Sequence, residues 1–335
     1  MELENILATI FVTARKNKAQ AFLVGGFVRD LKISEIFGGE FSPKDIDVLI
    51  VADNPTENIN CSNAICEQVG TIFGVDLTVF KNFGTSRIEI DGIEYEFVGA
   101  RKESYNRNSR KPIVENGTFK EDIYRRDFVK NALAMDENGR IIDLLGGIND
   151  IKNRLIRSHN PDQAYFDDPL RMMRGIRFAC QKNFTIEEKT WLAIKKNAGR
   201  ISIISGERIF VEFDKIIHTS NASMGVKMLD DCGLLELIMK PLTDLKFLPY
   251  EGNSAVHKDN FVHTLQVLKN LDNASPRLKY VAIFHDWGKP PTKRLDSRKG
   301  YTFQDHNTHS VRMFNDYIKT HNWTLSPHER NCISK

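Results

Sequence analysis

Two aspartates, Asp45 and Asp47, open the apolar run Asp45–Ile50. In an extended strand, residues two apart project from the same face, so this spacing sets two carboxylates side by side. Like charges that close repel unless cations lie between them, and two carboxylates suit hard divalent metal ions. Upstream, the apolar run Ala21–Val24 ends in Gly25-Gly26, after which Phe27-Val28-Arg29-Asp30-Leu31 takes up a helical pattern. A strand, a Gly-Gly turn and a helix N-terminus together form an anion cradle of bare backbone N–H groups in a favourable dipole. Read apart, Gly-Gly is a turn and Asp-x-Asp a solvated strand edge. Together they put a phosphate cradle next to a two-carboxylate metal site, which is what nucleotidyl transfer requires.

The surrounding elements must hold these groups in place. Residues 3–18 carry Leu3, Ile6, Leu7, Ile10 and Phe11 at helical spacing, and a second helix is expected over Thr56–Val69. Strands are expected at Asp76–Phe80, Ser86–Ile90 and Glu94–Val98, with Asp91-Gly92 as the hairpin turn between the last two. The pattern predicts an α+β head, a small mixed sheet with flanking helices. Glu94 and Glu96 share one face of the last strand. Glu96 is either a third acid beside the metals or a solvent-facing edge carboxylate. Residues 100–127, rich in Arg, Lys, Ser and Asn and without periodicity, read as a mobile basic loop. Beyond residue 150 strand signals fade and helices dominate.

Composition narrows the class. With 335 residues, 41% of them hydrophobic and 27% charged, the chain can bury more than one core. A net charge of +3 is too small for a uniformly polyanion-binding surface, so any nucleic acid must be held by local basic patches. The cysteines at 61, 66, 180, 232 and 332 show no zinc spacing and read as reduced thiols. No apolar run reaches membrane-spanning length, and the N-terminus patterns as an amphipathic helix rather than a signal peptide. A cytoplasmic protein with no membrane partner is expected, and no protein partner is implied.

Gly25-Gly26-Phe27-Val28-Arg29-Asp30 followed by Lys44-Asp45-Ile46-Asp47 resembles the signature of the class II CCA-adding enzyme and bacterial poly(A) polymerase family. Four further stretches follow in that family's order. Arg125-Arg126-Asp127-Phe128-Val129-Lys130-Asn131-Ala132 resembles its RRDFTINA motif, departing at Val129 and Lys130. Asp143-Leu144-Leu145-Gly146-Gly147 resembles its DxxGG connector. Phe166–Ala179 resembles its EDPLRxLRxxRFA element, with Asp167 where Glu is usual. Glu207-Arg208-Ile209, with Glu212, resembles the ERIxxE helix that braces that element.

The resemblance implies that Asp45 and Asp47 are catalytic and hold two Mg²⁺ ions. It implies that Gly25, Gly26, Arg29, Arg126, Asp127 and Asn131 bind the ribose and phosphates of an incoming nucleotide. It gives Asp168 and Arg171, with Arg174 close by, the choice of base. The chemistry agrees: a carboxylate accepts from the exocyclic amine of cytosine or adenine, and a guanidinium donates to the adjacent ring nitrogen. Uracil and guanine reverse that pattern, at roughly 1–3 kcal/mol per unpaired group. Asp168 before Pro169 also reads as a helix N-cap with Pro at the first turn. That reading does not account for Arg171, Arg174 and Arg177 recurring every third residue. Likewise, Arg125-Arg126-Asp127 before an apolar run also reads as a surface helix start.

Farther on, His263, His285-Asp286 and His306, with His309, resemble the HD phosphohydrolase domain. Its imidazole and carboxylate ligands suit Mg²⁺, Mn²⁺, Ni²⁺ or Co²⁺, and such a metal activates water for phosphoester attack. That family supplies a final Asp well after the third His, and the sequence here stops at Lys335 in a continuing helical pattern. The resulting domain expectation is a catalytic head over 1–147, nucleotide-selecting neck helices over 148–215, a helical body over 216–250, and an HD-type helical domain over 251–335 that is incomplete at its C-terminus. The implied activity is template-independent CCA addition to the tRNA acceptor end from CTP and ATP. The alternatives are a poly(A) polymerase, a C-only or A-only adding enzyme, or a metal-dependent phosphohydrolase.

Overall fold

The computed structural model describes residues 3–80, 84–104, 113–246, 259–297 and 300–324. The chain divides into two compact units, Met1–Asn160 and Pro161–Lys335.

The first unit begins with helix α1 (Leu3–Lys16), which buries Ile6, Ile10, Thr13 and Ala14, the stripe that a 3.6-residue period presents to a core. Strand β1 (Ala19–Val24) turns through Gly25 into α2 (Gly26–Phe37), and β2 is Asp45–Ala52. Helix α3 (Asn58–Phe73), β3 (Thr78–Phe80), β4 (Thr85–Ile90) and β5 (Ile93–Gly99) follow. After them come β6 (Arg101–Ser104), β7 (Ile113–Asn116), α4 (Phe119–Tyr124), β8 (Ala134–Met135), β9 (Ile141–Ile142) and α5 (Gly147–Lys152). Seven strands form one mixed sheet in the order β3-β4-β5-β2-β1-β8-β9. Within it β2 and β5 run parallel, while β1 and β2 run antiparallel. Asp91 and Gly92 both take positive φ in the β4–β5 turn, as their sequence signal requires.

Alternation along β2 gives it two working faces. Ile46, Val48 and Ile50 pack with Leu23, Tyr95, Phe97 and Ile65 in one cluster. Leu49, on the face shared with Asp45 and Asp47, packs with Phe22, Val24, Ile123 and Ala134 in another. The two aspartates thus stand where β2 leaves a packed floor. The Asp143 carboxylate accepts from the backbone N–H groups of Gly146, Gly147 and Ile148, which caps α5. A Cβ on Gly147 would lie 2.7 Å from the Val129 carbonyl oxygen, so this position requires glycine.

The expected loop over 100–127 is corrected in its described part. Residues 101–104 and 113–116 form an antiparallel hairpin, and a Thr118/Glu121 capping box starts α4. Residues 105–112 lie outside the described residues. Periodicity hid the hairpin because Arg101–Ser104 carries no apolar residue to alternate, and the side-chain pair across it is the ion pair Lys102–Glu115. The capping box T-x-x-E was readable in the sequence.

The second unit is helical. It contains α6 (Pro161–Asp167), α7 (Leu170–Lys182), α8 (Glu188–Asn197), α9 (Gly206–Ile217), α10 (Ala222–Asp231), α11 (Leu234–Ile238) and α12 (Lys240–Thr243). It continues with α13 (Asn260–Asn270), α14 (Pro276–Phe284), α15 (Lys289–Thr292) and α16 (His306–Thr320). One apolar core runs through it from Tyr165 and Met172 to Phe314 and Trp323. Among the described residues, no helix is long and apolar enough to cross a membrane.

Candidate active site

Strand register builds the site. Val24, the last residue of β1, lies opposite Asp47, and on the other side of β2 Asp47 lies opposite Glu96 of β5. Asp45 likewise lies opposite Glu94. Cross-strand partners share a face, so Asp47 and Glu96 present adjacent carboxylates with Asp45 beside them. Gly25, at φ 71° and ψ −130°, brings the turn down onto this row. A Cβ there would lie 2.5 Å from Asp47 Oδ2 and 3.4 Å from an Arg126 guanidinium nitrogen. Only a glycine lets the turn, the carboxylate and the arginine meet. At Gly26, which starts α2, a Cβ would lie 3.6 Å from Arg29.

Burial pushes the Asp47 carboxyl up to about 6; Arg126 and Arg29 pull it down, while Glu96 and Asp45 raise it further. The two arginines do not fully offset that burial and the neighbouring carboxylates, and a divalent cation held between Asp45 and Asp47 would. The oxygen-only donor set fits Mg²⁺.

The remaining predicted nucleotide-binding residues of the head are brought together as one chain of hydrogen bonds. Buried Arg29 donates to Asp30 and, through Nη1, to Asn131 Oδ1 at 2.9 Å. Asn131 Nδ2 donates to Asp127 Oδ1 at 2.9 Å, which also accepts from the Phe128 backbone N–H. Lys130, where the family's motif carries an aliphatic residue, is fully buried within the turn Val129–Asn131.

Sequence reasoning missed Asp122. This fully buried carboxylate accepts from Arg125 Nε and Nη2 on Oδ1, and from Arg126 Nη2 at 3.0 Å on Oδ2. Burial opposes its ionisation, but the two arginines outweigh it and hold its carboxyl below the usual range. Arg125 also reaches Glu103 of β6. The signal was present, because Asp122 lies three and four residues before the two arginines on one helical turn.

The residues expected to choose the base lie in the second unit, at the start of α7. Asp168, Arg171 and Arg174 are half-buried there. Asp168 Oδ1 accepts from the Leu170 backbone N–H, so the capping role is real. Farther along α7, buried Arg177 donates to Glu212 of α9 at 2.7 Å. Glu212 therefore braces α7.

In the same unit, His263, His285 and Asp286 offer ligand atoms that all lie within 4.8 Å of one another. His306 Nε2 stands 3.7 Å from Asp286 Oδ1. Burial would raise the Asp286 carboxyl, but His285 and Lys289 bring it down to about 2. Lys289 Nζ lies 2.7 Å from Asp286 Oδ2 and also donates to Asn260. The His₂Asp set fits a borderline divalent ion.

Residues 21–157 match the family model of the poly(A) polymerase head domain. Residues 183–246 match that of the probable RNA and SrmB-binding site of polymerase A, and the two together cover more than half of the sequence. The chain belongs to the poly(A) polymerase and CCA-adding enzyme family. Among relatives in that family, the CCA-adding enzyme of Geobacillus sp. (strain WCH70) is 35% identical over 228 residues, which is 67% of this chain and 52% of that protein. The chain thus spans about half the length of the curated relatives it matches. Among solved structures, the Bacillus stearothermophilus CCA-adding enzyme in complex with CTP superimposes with a TM-score of 0.58 at 22% identity, over 99% of this chain and 91% of that one. A tRNA nucleotidyltransferase complexed with a primer tRNA and an incoming ATP analog gives a TM-score of 0.62 at 22% identity, over 93% and 83%. These two likenesses show the family's fold.

Proposed function

We propose that this chain adds CCA to the 3′ end of tRNA, taking CTP and ATP as substrates and depending on Mg²⁺. The observation that carries the reading is the meeting of Gly25, Asp47 and Arg126, which sets bare turn backbone and a guanidinium against the paired carboxylates. The names of its relatives supply the substrates.

In this reading the backbone of Gly25 and Gly26, the N-terminus of α2 and the Arg126 guanidinium hold the triphosphate. Arg29 fixes Asn131, which fixes Asp127, and Asp127 accepts from a ribose hydroxyl. Asp168 and Arg171, with Arg174, pair with the amine and ring nitrogen of cytosine or adenine. Asp45 and Asp47 would hold two Mg²⁺ ions, which lower the pKa of the RNA 3′-hydroxyl and neutralise the departing pyrophosphate. The 3′ oxygen then bonds to the α-phosphorus, the bridge from that phosphorus to the β-phosphate breaks, and the hydroxyl proton leaves to water. Basic surface on the helices grips the acceptor stem by charge and A-form shape.

The test offers tRNA lacking its terminus with CTP alone, ATP alone, or both. Two C residues from CTP, and A only after them, are expected. Asp45→Ala or Asp47→Ala should each cost roughly a thousandfold in rate. Unlimited A tails from ATP alone would move the chain to the poly(A) polymerase reading. A second reading, of an additional metal-dependent phosphohydrolase, is favoured by the His263/His285/Asp286 cluster alone.

A further inference from the structure

The strand register extends the active-site row one strand beyond the carboxylates. Asp47 on β2 lies opposite Glu96 on β5, and Glu96 lies opposite Arg87 on β4. The order on one face is therefore glycine turn, Asp47, Glu96, Arg87, each step being one strand spacing of about 4.8 Å. Beyond Glu96 a cavity of about 320 Å³ opens, lined by Phe80, Thr85, Arg87, Glu94, Glu96 and Arg101. The Phe80 ring is exposed, and the Arg87 guanidinium stands 5.5 Å over its centroid. Glu94 accepts from Arg87 Nη1 at 2.9 Å and holds that side chain over the ring.

In-line displacement fixes which substrate can use this cavity. The attacking oxygen and the leaving pyrophosphate must lie on opposite sides of the transferred phosphorus. The glycine turn and Arg126 hold the triphosphate at one end of the row. The nucleophile must then approach from the other end, over Glu96 and toward Arg87. An exposed aromatic ring with a guanidinium stacked on it is a platform for a nucleobase, and a guanidinium edge binds a backbone phosphate.

We propose that this cavity seats the 3′-terminal nucleotide of the acceptor RNA, its base against the Phe80–Arg87 platform and its 5′ phosphate near Arg87 and Arg101. The inference rests on the nucleotidyltransferase reading above. It deepens that reading by placing the second substrate. The seat is single-stranded and tolerant of sequence, because every base offers a π face. Such tolerance is needed at a position that successive additions fill with different bases.

The test compares Phe80→Ala, Arg87→Ala and wild type by steady-state extension of tRNA lacking its terminus, and by binding of the same tRNA ended with a 3′-deoxynucleotide. Each variant should raise the tRNA KM and the Kd of the 3′-deoxy tRNA about tenfold or more. The Kd of CTP measured with Mg²⁺ should stay within about twofold of wild type, which also reports an intact head. Unchanged tRNA KM and Kd in both variants would overturn the proposal. So would a loss confined to CTP affinity, which would place the incoming nucleotide in this cavity. Failure of the nucleotidyltransferase reading looks different, since wild-type protein would then extend no RNA at all.

Discussion

At the scale of single residues, the site depends on side chains that hold other side chains in place. Asp122 is the clearest case: one buried carboxylate carries Arg126 on one oxygen and Arg125 on the other, and Arg126 stands over the Gly25 turn. Removing one partner from a buried ion pair typically costs about 3–5 kcal/mol, because the remaining charge is left uncompensated. Asp122→Asn keeps the shape and the acceptor oxygen but removes the charge, so part of that cost should appear as misplacement of Arg126 rather than as unfolding. The expected outcome is a rise of about tenfold or more in KM for CTP, with tRNA KM unchanged and a lowered Tm. A lowered Tm with unchanged CTP KM would make Asp122 a purely structural residue. Alongside it, Arg29, Asn131 and Asp127 form a relay in which each side chain fixes the next. A variant at Asn131 should therefore resemble one at Asp127 in kinetics.

At the scale of elements, the decisive feature is the turn between β1 and α2. Gly25 occupies a backbone conformation that L side chains rarely adopt, and its missing Cβ leaves the space taken by Asp47 Oδ2. Gly26 meets neither constraint, with only Arg29 nearby at 3.6 Å. Gly25→Ala should lose about 1–3 kcal/mol of stability from the backbone alone. It should also lose Mg²⁺-dependent CTP binding, because the added methyl displaces the carboxylate. Gly26→Ala should keep wild-type stability, and thermal melts of the pair with and without Mg²⁺ and CTP check both statements. This turn was legible in the sequence, as were β2, β4, β5 and the positive-φ turn at Asp91-Gly92, because apolar period and glycine placement mark them directly. The β6–β7 hairpin was not, since β6 carries no apolar residue and the ion pair across the hairpin, Lys102–Glu115, leaves no periodic signal. The bracing of α7 by Glu212 was anticipated only through the ERIxxE resemblance. Its partner, Arg177, lies far away in sequence, and spacing within one helix cannot report such a contact.

At the scale of the whole molecule, the two units carry candidate metal centres of different chemistry. The head offers carboxylate oxygens alone, a donor set for Mg²⁺. The helical unit offers His263, His285 and Asp286, a mixed set that favours Mn²⁺, Co²⁺ or Ni²⁺. Ionisation of Asp286 is already secured by His285 and Lys289, so this carboxylate is ready to coordinate over the whole working pH range. Lys289 is also its competitor, because an ammonium 2.7 Å from Oδ2 supplies the positive charge that an ion would bring. The balance is decided by ligand number: the ammonium satisfies one carboxylate oxygen, whereas a divalent ion also draws on the imidazoles of His263 and His285. With the head saturated by excess Mg²⁺, the 335-residue chain should therefore take up one Co²⁺ in titration calorimetry, and His263→Ala or His285→Ala should abolish that binding. Mg²⁺-dependent nucleotide incorporation should stay within about twofold in both variants, since the head's ligands lie in the other unit. If wild-type protein binds no Co²⁺, Lys289 is the resident cation, and the cluster is a structural ion network rather than a metal centre.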